Sequence, residues 1–385
     1  MGKGRERKLY LPGTVFRKRC FEWALLSIAA FVFIASRFFV FGCATLQAKE
    51  IKDTINQLSF SHDGKKVLFD RCRAEICQIQ VYDLATGELS AYQSPSEERW
   101  TMARYSDDGR KIVFAVYPIK EGYVDFGGMQ IAVMDPEGRN VRRITSGYGA
   151  KIYPTFSHSG KKVLYAKGTY IRKRGIAPAT HFDAWEVDLE TDSEKRLTYF
   201  KFLGMTYLAY LPDDKRFICN AGWPHLLPGG REGDWKEIQK RNEPWNRKYM
   251  ANTIHVLHEG QSTIDAPYMI VGKEIFNQVS RNPLLSKDGT RLFFEGHVGK
   301  YYLYSPDGNH RFVGGGGSVN SAAISPDGEL LGTISVHMAI DIFRVKDGKR
   351  LEEVYAPSVQ NAIHFKNILS SLKLLPELPS IIINR

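Results

Sequence analysis

The sequence predicts an all-β fold: a six-bladed β-propeller of four-stranded antiparallel blades, preceded by an N-terminal hydrophobic helix. Three observations predict it. One short segment recurs six times along the 385 residues, each copy is built around an Asp-Gly turn or a relative of it, and a second strand pair follows each copy. A four-stranded unit repeated at roughly 40–50 residues is the pattern of a propeller blade, because one blade cannot bury both faces and a closed ring can.

In chain order, the N-terminus comes first. Residues 1–42 carry Lys3, Arg5, Arg7, Lys8, Arg17, Lys18, Arg19 and Arg37 against Glu6 and Glu22, so more than half of the formal net charge of +11 lies there. The charge-free run 23–36 follows, and Arg37 separates it from 38–42. A basic start, an apolar run and a small residue before a break are the layout of a secretory signal. The tetrad Val40-Phe41-Gly42-Cys43 resembles a bacterial lipobox, which implies lipidation at Cys43. The alternative is a retained anchor, since 23–42 is long enough to span a bilayer if Arg37 reaches the interface. Basic residues ahead of the apolar run place the rest of the chain on the non-cytoplasmic, periplasmic side. Residues 1–42 are therefore assigned as signal peptide or membrane anchor and 43–55 as a linker. Residues 56–358 are assigned as the propeller and 359–385 as a C-terminal tail that the sequence leaves undefined.

Cysteine use fits an oxidising compartment. Cys72 and Cys77 are close enough in sequence to form a disulfide across a hairpin. Cys219 sits at an apolar strand position as a buried thiol. The spacing of Cys72 and Cys77 lacks the second ligand pair that a zinc site needs.

The six copies are LSFSHDGKKVLF (58–69), ARYSDDGRKIVF (103–114), PTFSHSGKKVLY (154–165), LAYLPDDKRFIC (208–219), PLLSKDGTRLFF (283–294) and AAISPDGELLGT (322–333). Each reads as strand, tight turn, apolar strand, and Gly suits the turn because it adopts positive φ without steric cost. Second pairs follow at 79–89, 130–139, 301–308 and 341–349. These S-x-D-G-K-K-hydrophobic copies resemble the WD40-like (PD40) repeat of TolB-type propellers. The resemblance covers about residues 56–356 and implies a fold rather than a function. TolB has an extra α/β domain before its propeller, for which there is no space between Cys43 and the first repeat here.

The uneven spacing of the copies marks insertions between second and third strands at 115–129, 166–183 and 220–251, in blades 2, 3 and 4. Strand direction alternates, so these insertions share one rim with the blade-to-blade connections, and the Asp-Gly turns occupy the other. The blade-4 insertion contains Trp223, Trp235 and Trp245 with Arg231, Arg241 and Arg247, the aromatic and arginine composition of interaction hot spots. Packing of these Trp onto the propeller itself is the competing reading. In blade 3, Arg172 and Arg174 offer charge to an acidic partner or lipid headgroups, against the plainer reading of a solvated charge run.

Catalytic signatures are absent: no G-x-S-x-G, no G-x-x-x-x-G-K-[ST] and no H-E-x-x-H. Some propeller enzymes, oligogalacturonate lyases among them, hold a metal through His on one face. His181 and His225, with Asp183 nearby in sequence, are the candidates for such a site on the insertion rim, and no metal or cofactor is assigned. His255 and His258, three apart, fall on opposite faces of a strand. His62 and His158 read as ordinary turn residues. No basic stripe points to nucleic acid. The expectation is a non-enzymatic binding or scaffold propeller tethered to the cell envelope. It takes an envelope or membrane protein on the insertion-rich rim of blades 2–4, and no small-molecule ligand is expected. The alternatives are a polysaccharide lyase or hydrolase, which needs three His, Asp or Glu side chains converging on one rim, and a structural subunit with apolar blade sides.

Overall fold

The computed structural model describes residues 53–73, 76–171, 179–222, 253–261, 281–296, 299–305, 309–316, 319–335 and 339–355. Blade 1 comprises β1 (Asp53–Phe60), β2 (Lys66–Arg73), β3 (Ile76–Asp83) and β4 (Leu89–Gln93). Blade 2 comprises β5 (Glu98–Tyr105), β6 (Ile112–Lys120), the short β7 (Tyr123–Val124), a 3-10 turn (Phe126–Gly128), β8 (Gln130–Met134) and β9 (Arg142–Arg143). Blade 3 holds β10 (Ala150–Phe156), β11 (Lys162–Ile171), β12 (Ala179–Asp188) and β13 (Glu194–Arg196). Blade 4 shows β14 (Met205–Tyr210), β15 (Arg216–Ala221) and β16 (Thr253–His258) among the described residues. Blade 5 is β17 (Arg281–Leu285), β18 (Leu292–Glu295), β19 (Lys300–Leu303) and β20 (Arg311–Gly315). Blade 6 is β21 (Val319–Ile324), β22 (Leu330–Ser335), β23 (Ile340–Arg344) and β24 (Lys349–Tyr355). Each blade is one up-and-down antiparallel sheet in sequence order. The six-bladed propeller is the fold the repeats predict.

The second strand of each repeat is apolar at consecutive positions because both of its faces are buried. Side chains alternate, so each strand feeds two seams. In β6, Ile112, Phe114 and Val116 pack toward blade 1 with Leu68, Ile79 and Trp100, whereas Val113 and Ala115 pack toward blade 3 with Val163 and Tyr165. The same division recurs around the ring. Leu164, Ala166, Phe217 and Cys219 join blades 3 and 4, and Ile218, Ile254, Leu292 and Phe294 join blades 4 and 5. Phe293, Val313 and Leu331 join blades 5 and 6. Burying one such side chain stabilises by about 1.5–3 kcal/mol.

Among the described residues, blades 6 and 1 meet at the ring's closure without exchanging a strand. Ile55, Leu58, Phe60, Val67 and Phe69 from the first blade pack on Ala323, Ile334, Ile340 and Ile342 from the last. Among the described residues this seam is closed by side-chain packing, and Gly332 permits it. A Cβ on Gly332 would lie 2.6 Å from Leu58 Cδ2.

The Asp-Gly turns share one hydrogen-bond scheme. In blade 1, Ser61 Oγ donates to Asp63 Oδ1 at 2.6 Å, Lys65 N donates to the same oxygen at 3.1 Å, and Lys66 N donates to Ser61 Oγ at 2.9 Å. Blades 2, 5 and 6 repeat it with Ser106–Asp108, Ser286–Asp288 and Ser325–Asp327. The recurring Ser and Asp of the repeat are thus turn-building residues.

Two expectations are corrected. Asp53–Ile55, assigned to the linker, belong to β1 and pair with Arg71–Arg73. A β-bulge between Ile55 and Leu58 breaks the alternation there and hides the strand's start in the sequence. The insertions at 115–129 and 166–183 are largely strand. β6 runs to Lys120, and β11 and β12 stay paired out to Ile171 and Ala179, so both blades project beyond the rim as hairpins. Among the described residues no helix is long and apolar enough to cross a membrane, and the apolar run 23–42 lies outside them.

Candidate functional site

On the insertion rim, blades 2 and 3 carry built hairpins. The 123–129 segment folds back on its blade: Asp125 N donates to the Pro118 carbonyl at 2.8 Å, and Asp125 Oδ1 accepts from Gly127 N and Gly128 N at 3.1 Å each. Lys120 lies 2.5 Å from Asp125, and its hydrogen bond holds that carboxyl below the usual range. Gly149 N, in the connection from blade 2 to blade 3, donates to the Gly127 carbonyl at 2.8 Å. The Tyr148 ring covers Gly127, where a Cβ would sit 2.3 Å from it. Beneath, Lys151 is fully buried and donates to the Met129 and Gly147 carbonyls at 3.0 and 2.7 Å. Burial pulls its pKa down to about 8.

In blade 3, Asp183 is buried and its carboxylate is fully engaged. It accepts from Arg196 Nη2 at 2.7 Å, Thr198 Oγ1 at 3.0 Å and Phe200 N at 2.7 Å, which anchors the connection to blade 4. Burial pushes its pKa up, and Arg196 partly offsets this. Asp183 is therefore a structural anchor and has no oxygen to spare for a metal. Arg196 also lies over the Tyr199 ring, 4.5 Å from its centroid.

This scaffold presents three exposed aromatics on one rim. Tyr123 (79% exposed) projects from the blade-2 insertion, Tyr148 (66%) from the connection to blade 3 and Tyr199 (43%) from the connection to blade 4. Sequence reading missed all three, because a single Tyr in a connection carries no pattern. The rim residues it named, Trp223, Trp235, Trp245, Arg231, Arg241, Arg247, Arg172 and Arg174, lie outside the described residues, as do Cys43 and His225. Cys72 and Cys77 face each other in register across the β2–β3 hairpin and form a disulfide. His255 is buried and His258 exposed, on opposite faces of β16. Burial pulls the His255 pKa down to about 4.

On the opposite rim the turn residues ring the mouth of the central channel. His62, Asp107, His158, Pro212, Lys287 and Pro326 occupy one position in successive blades and line that mouth. His62 rests on Gly109 and Pro212 on Gly289, where added Cβ atoms would come within 2.2 and 2.3 Å. These two glycines also have φ of +70°, so both backbone and contact demand Gly. His158 Nδ1 is 2.7 Å from Asp107 Oδ2, and its backbone N donates to Asp214 Oδ1 at 2.8 Å. His62 and His158 thus line a cavity mouth, beyond the ordinary turn role read from the sequence. The channel itself, about 170 Å³, is walled by the first strands of all six blades. Among the described residues no group of three His, Cys, Asp or Glu side chains is placed to hold a metal ion.

No protein-family model and no curated protein matches the sequence. Solved structures do match. TolB from Acinetobacter baumannii superimposes with a TM-score of 0.50 at 18% identity, over 77% of this chain and 62% of that one. The fold is TolB-like. Other matches include an oligogalacturonate lyase in complex with manganese (TM-score 0.47, 13% identity, 79% of this chain and 78% of that one). The β-propeller domain of the Trilobed protease from Pyrococcus furiosus also matches (0.48, 13%, 79% and 95%). The matched region spans less than two thirds of TolB's length, and at these identities the likeness is one of fold alone.

Proposed function

We propose that this chain is a non-enzymatic, protein-binding propeller held at the periplasmic face of the cell envelope, taking a protein partner on the insertion rim of blades 2–4. The observation that carries the reading is the trio Tyr123, Tyr148 and Tyr199, exposed on one rim that is braced from below by Asp125, Lys151 and Asp183. Tyr supplies large contact area at low entropic cost, and a rigid platform avoids ordering losses on binding. The Trp- and Arg-rich insertion 220–251 would extend this surface over blade 4.

Catalysis is the weaker reading. His62, Asp107 and His158 do converge on the turn rim, but His158 Nδ1 is held by Asp107 and Nε2 is 3.2 Å from the Tyr210 carbonyl oxygen. With both nitrogens engaged it has none to offer a substrate. A purely structural subunit is also weaker, because among the described residues the other exposed large apolar side chains, Ile76, Leu89, Val141, Phe312 and Leu351, are spread over blades 1, 2, 5 and 6.

Tethering rests on the basic and apolar segment ahead of the propeller. The intact mass and N-terminal residue of membrane-extracted protein test it: a lipidated Cys43 or a retained 23–42 segment supports tethering, and an unmodified, cleaved soluble form contradicts it. For the rim, replacing Tyr123, Tyr148 and Tyr199 by Ser together is expected to abolish co-purification of the envelope partner. Unchanged recovery would contradict the reading.

A further inference from the structure

Arg104 lies on β5 and lines the central channel. Its Nη1 donates across the channel to the Leu208 carbonyl of blade 4 at 2.8 Å. That is its one side-chain hydrogen bond among the described residues, and it forms no ion pair there. A guanidinium has five N–H donors in a planar fork. Most of that fork makes no hydrogen bond among the described residues, and the half-buried side chain lines the channel wall. Burial pulls the pKa of Arg104 below its usual range, and the Tyr207 and Tyr153 phenols offset this only in part.

Two further groups point into the same space. Gln57 is only 4% exposed and lines the channel; its backbone N donates to Asp70 at 3.0 Å, but its side-chain amide has no hydrogen bond among the described residues. Lys287 of blade 5 reaches over the mouth to the Asp107 carbonyl at 2.8 Å and likewise forms no ion pair among the described residues. The carboxylates nearby are already committed. Asp107 holds His158; Asp63, Asp288 and Asp327 each hold the Ser of their own turn. Asp70, deeper in, accepts from Thr101 Oγ1 at 2.6 Å and from Gln57 N and Met102 N. None of them neutralises Arg104.

We propose that the central channel binds a small carboxylate that pairs with the free fork of Arg104, with the Gln57 amide as a second donor and Lys287 over the entrance. A planar carboxylate matches the guanidinium bidentately. The cavity of about 170 Å³ accepts a compact organic acid. The turn carboxylates around the mouth oppose the entry of anions, so a Kd on the order of 1 mM is expected. This site is separate from the insertion rim and departs from the expectation that no small molecule is bound.

The test uses the full chain in detergent. Acetate, succinate and phosphate are titrated by calorimetry and by thermal melting at ionic strength held constant with chloride. Saturable binding of a carboxylate, with affinity falling at least tenfold in Arg104→Leu and less in Gln57→Leu, is the expected result. Absence of saturable carboxylate binding in the wild type overturns the proposal, as does binding of phosphate alone, or binding kept in Arg104→Leu. If Arg104→Leu does not fold, Arg104→Lys takes its place: it keeps the charge but loses the fork, and undiminished affinity there also overturns the proposal.

Discussion

His158 of blade 3 holds Asp107 of blade 2, Nδ1 to Oδ2 at 2.7 Å, while its Nε2 lies 3.2 Å from the Tyr210 carbonyl oxygen. Both neighbours are acceptors, so the ring is best satisfied as the doubly protonated cation. The hydrogen bond that His158 donates to Asp107 raises the His158 pKa, against the opposing effect of burial. A histidine with a raised folded pKa contributes its stabilisation in full below its unfolded value of about 6.5 and loses it as pH rises through the folded value. His158→Gln is therefore expected to be less stable than wild type at about pH 5.5, with the gap narrowing above the folded pKa. An NMR titration midpoint for His158 at or below about 6.5 would contradict this.

Acid acts on the turns with the opposite sign. Asp288 is pushed down to about 2 by the hydrogen bond from Ser286, with Thr290 adding to it. Its contribution is present above the unfolded value of about 3.9 and is lost as pH falls through the folded one. Asp288→Ala should melt below wild type at neutral pH, and the two melting curves should converge between about pH 4 and 2. An equal gap at both ends of that range would show that the carboxylate is not what matters.

The seam between blades 6 and 1 depends on Gly332 lying under Leu58 and Phe60. Gly332→Val forces a branched side chain into this closed contact and is expected to cost about 1–3 kcal/mol, lowering Tm by several degrees. The paired change Gly332→Val with Leu58→Ala should recover part of the loss. No recovery would mean the damage arises elsewhere.

The disulfide between Cys72 and Cys77 closes a very short loop at the end of one hairpin. Loop-closure entropy for so few residues amounts to about 2 kcal/mol. Denaturation of Cys72→Ser/Cys77→Ser is expected to show a loss of that size with the propeller still folded. Collapse of the fold would contradict this, since the blade-1 seams contain ample buried area without it.

The ring was legible in the sequence because its instructions are local. Ser61, Asp63 and Gly64 build a turn from their own neighbours, and Val67-Leu68-Phe69 declares a strand buried on both faces. The bulge in each first strand was not legible. It puts Met102, Tyr153, Tyr207 and Asn282 at φ between 51° and 57°, a region that non-glycine residues seldom adopt, and no residue type signals it. The hairpins of blades 2 and 3 read as loops because Lys, Pro and Gly interrupt their apolar runs, although the strands pair regardless. His158 and Arg104 acquire meaning only through partners 51 and 104 residues away, which ring closure alone brings together.

Site-specific photo-crosslinking in intact cells tests the central claim most directly. A crosslinking residue is placed at Tyr123, Tyr148 or Tyr199 on the insertion rim, and at Lys65, Arg110 or Thr290 on the turn rim. The account predicts one common envelope protein captured from all three insertion-rim positions and from none of the turn-rim positions, with capture lost when Trp223, Trp235 and Trp245 are replaced together by Ala. Capture of that protein from the turn rim, with the insertion rim silent, would contradict it.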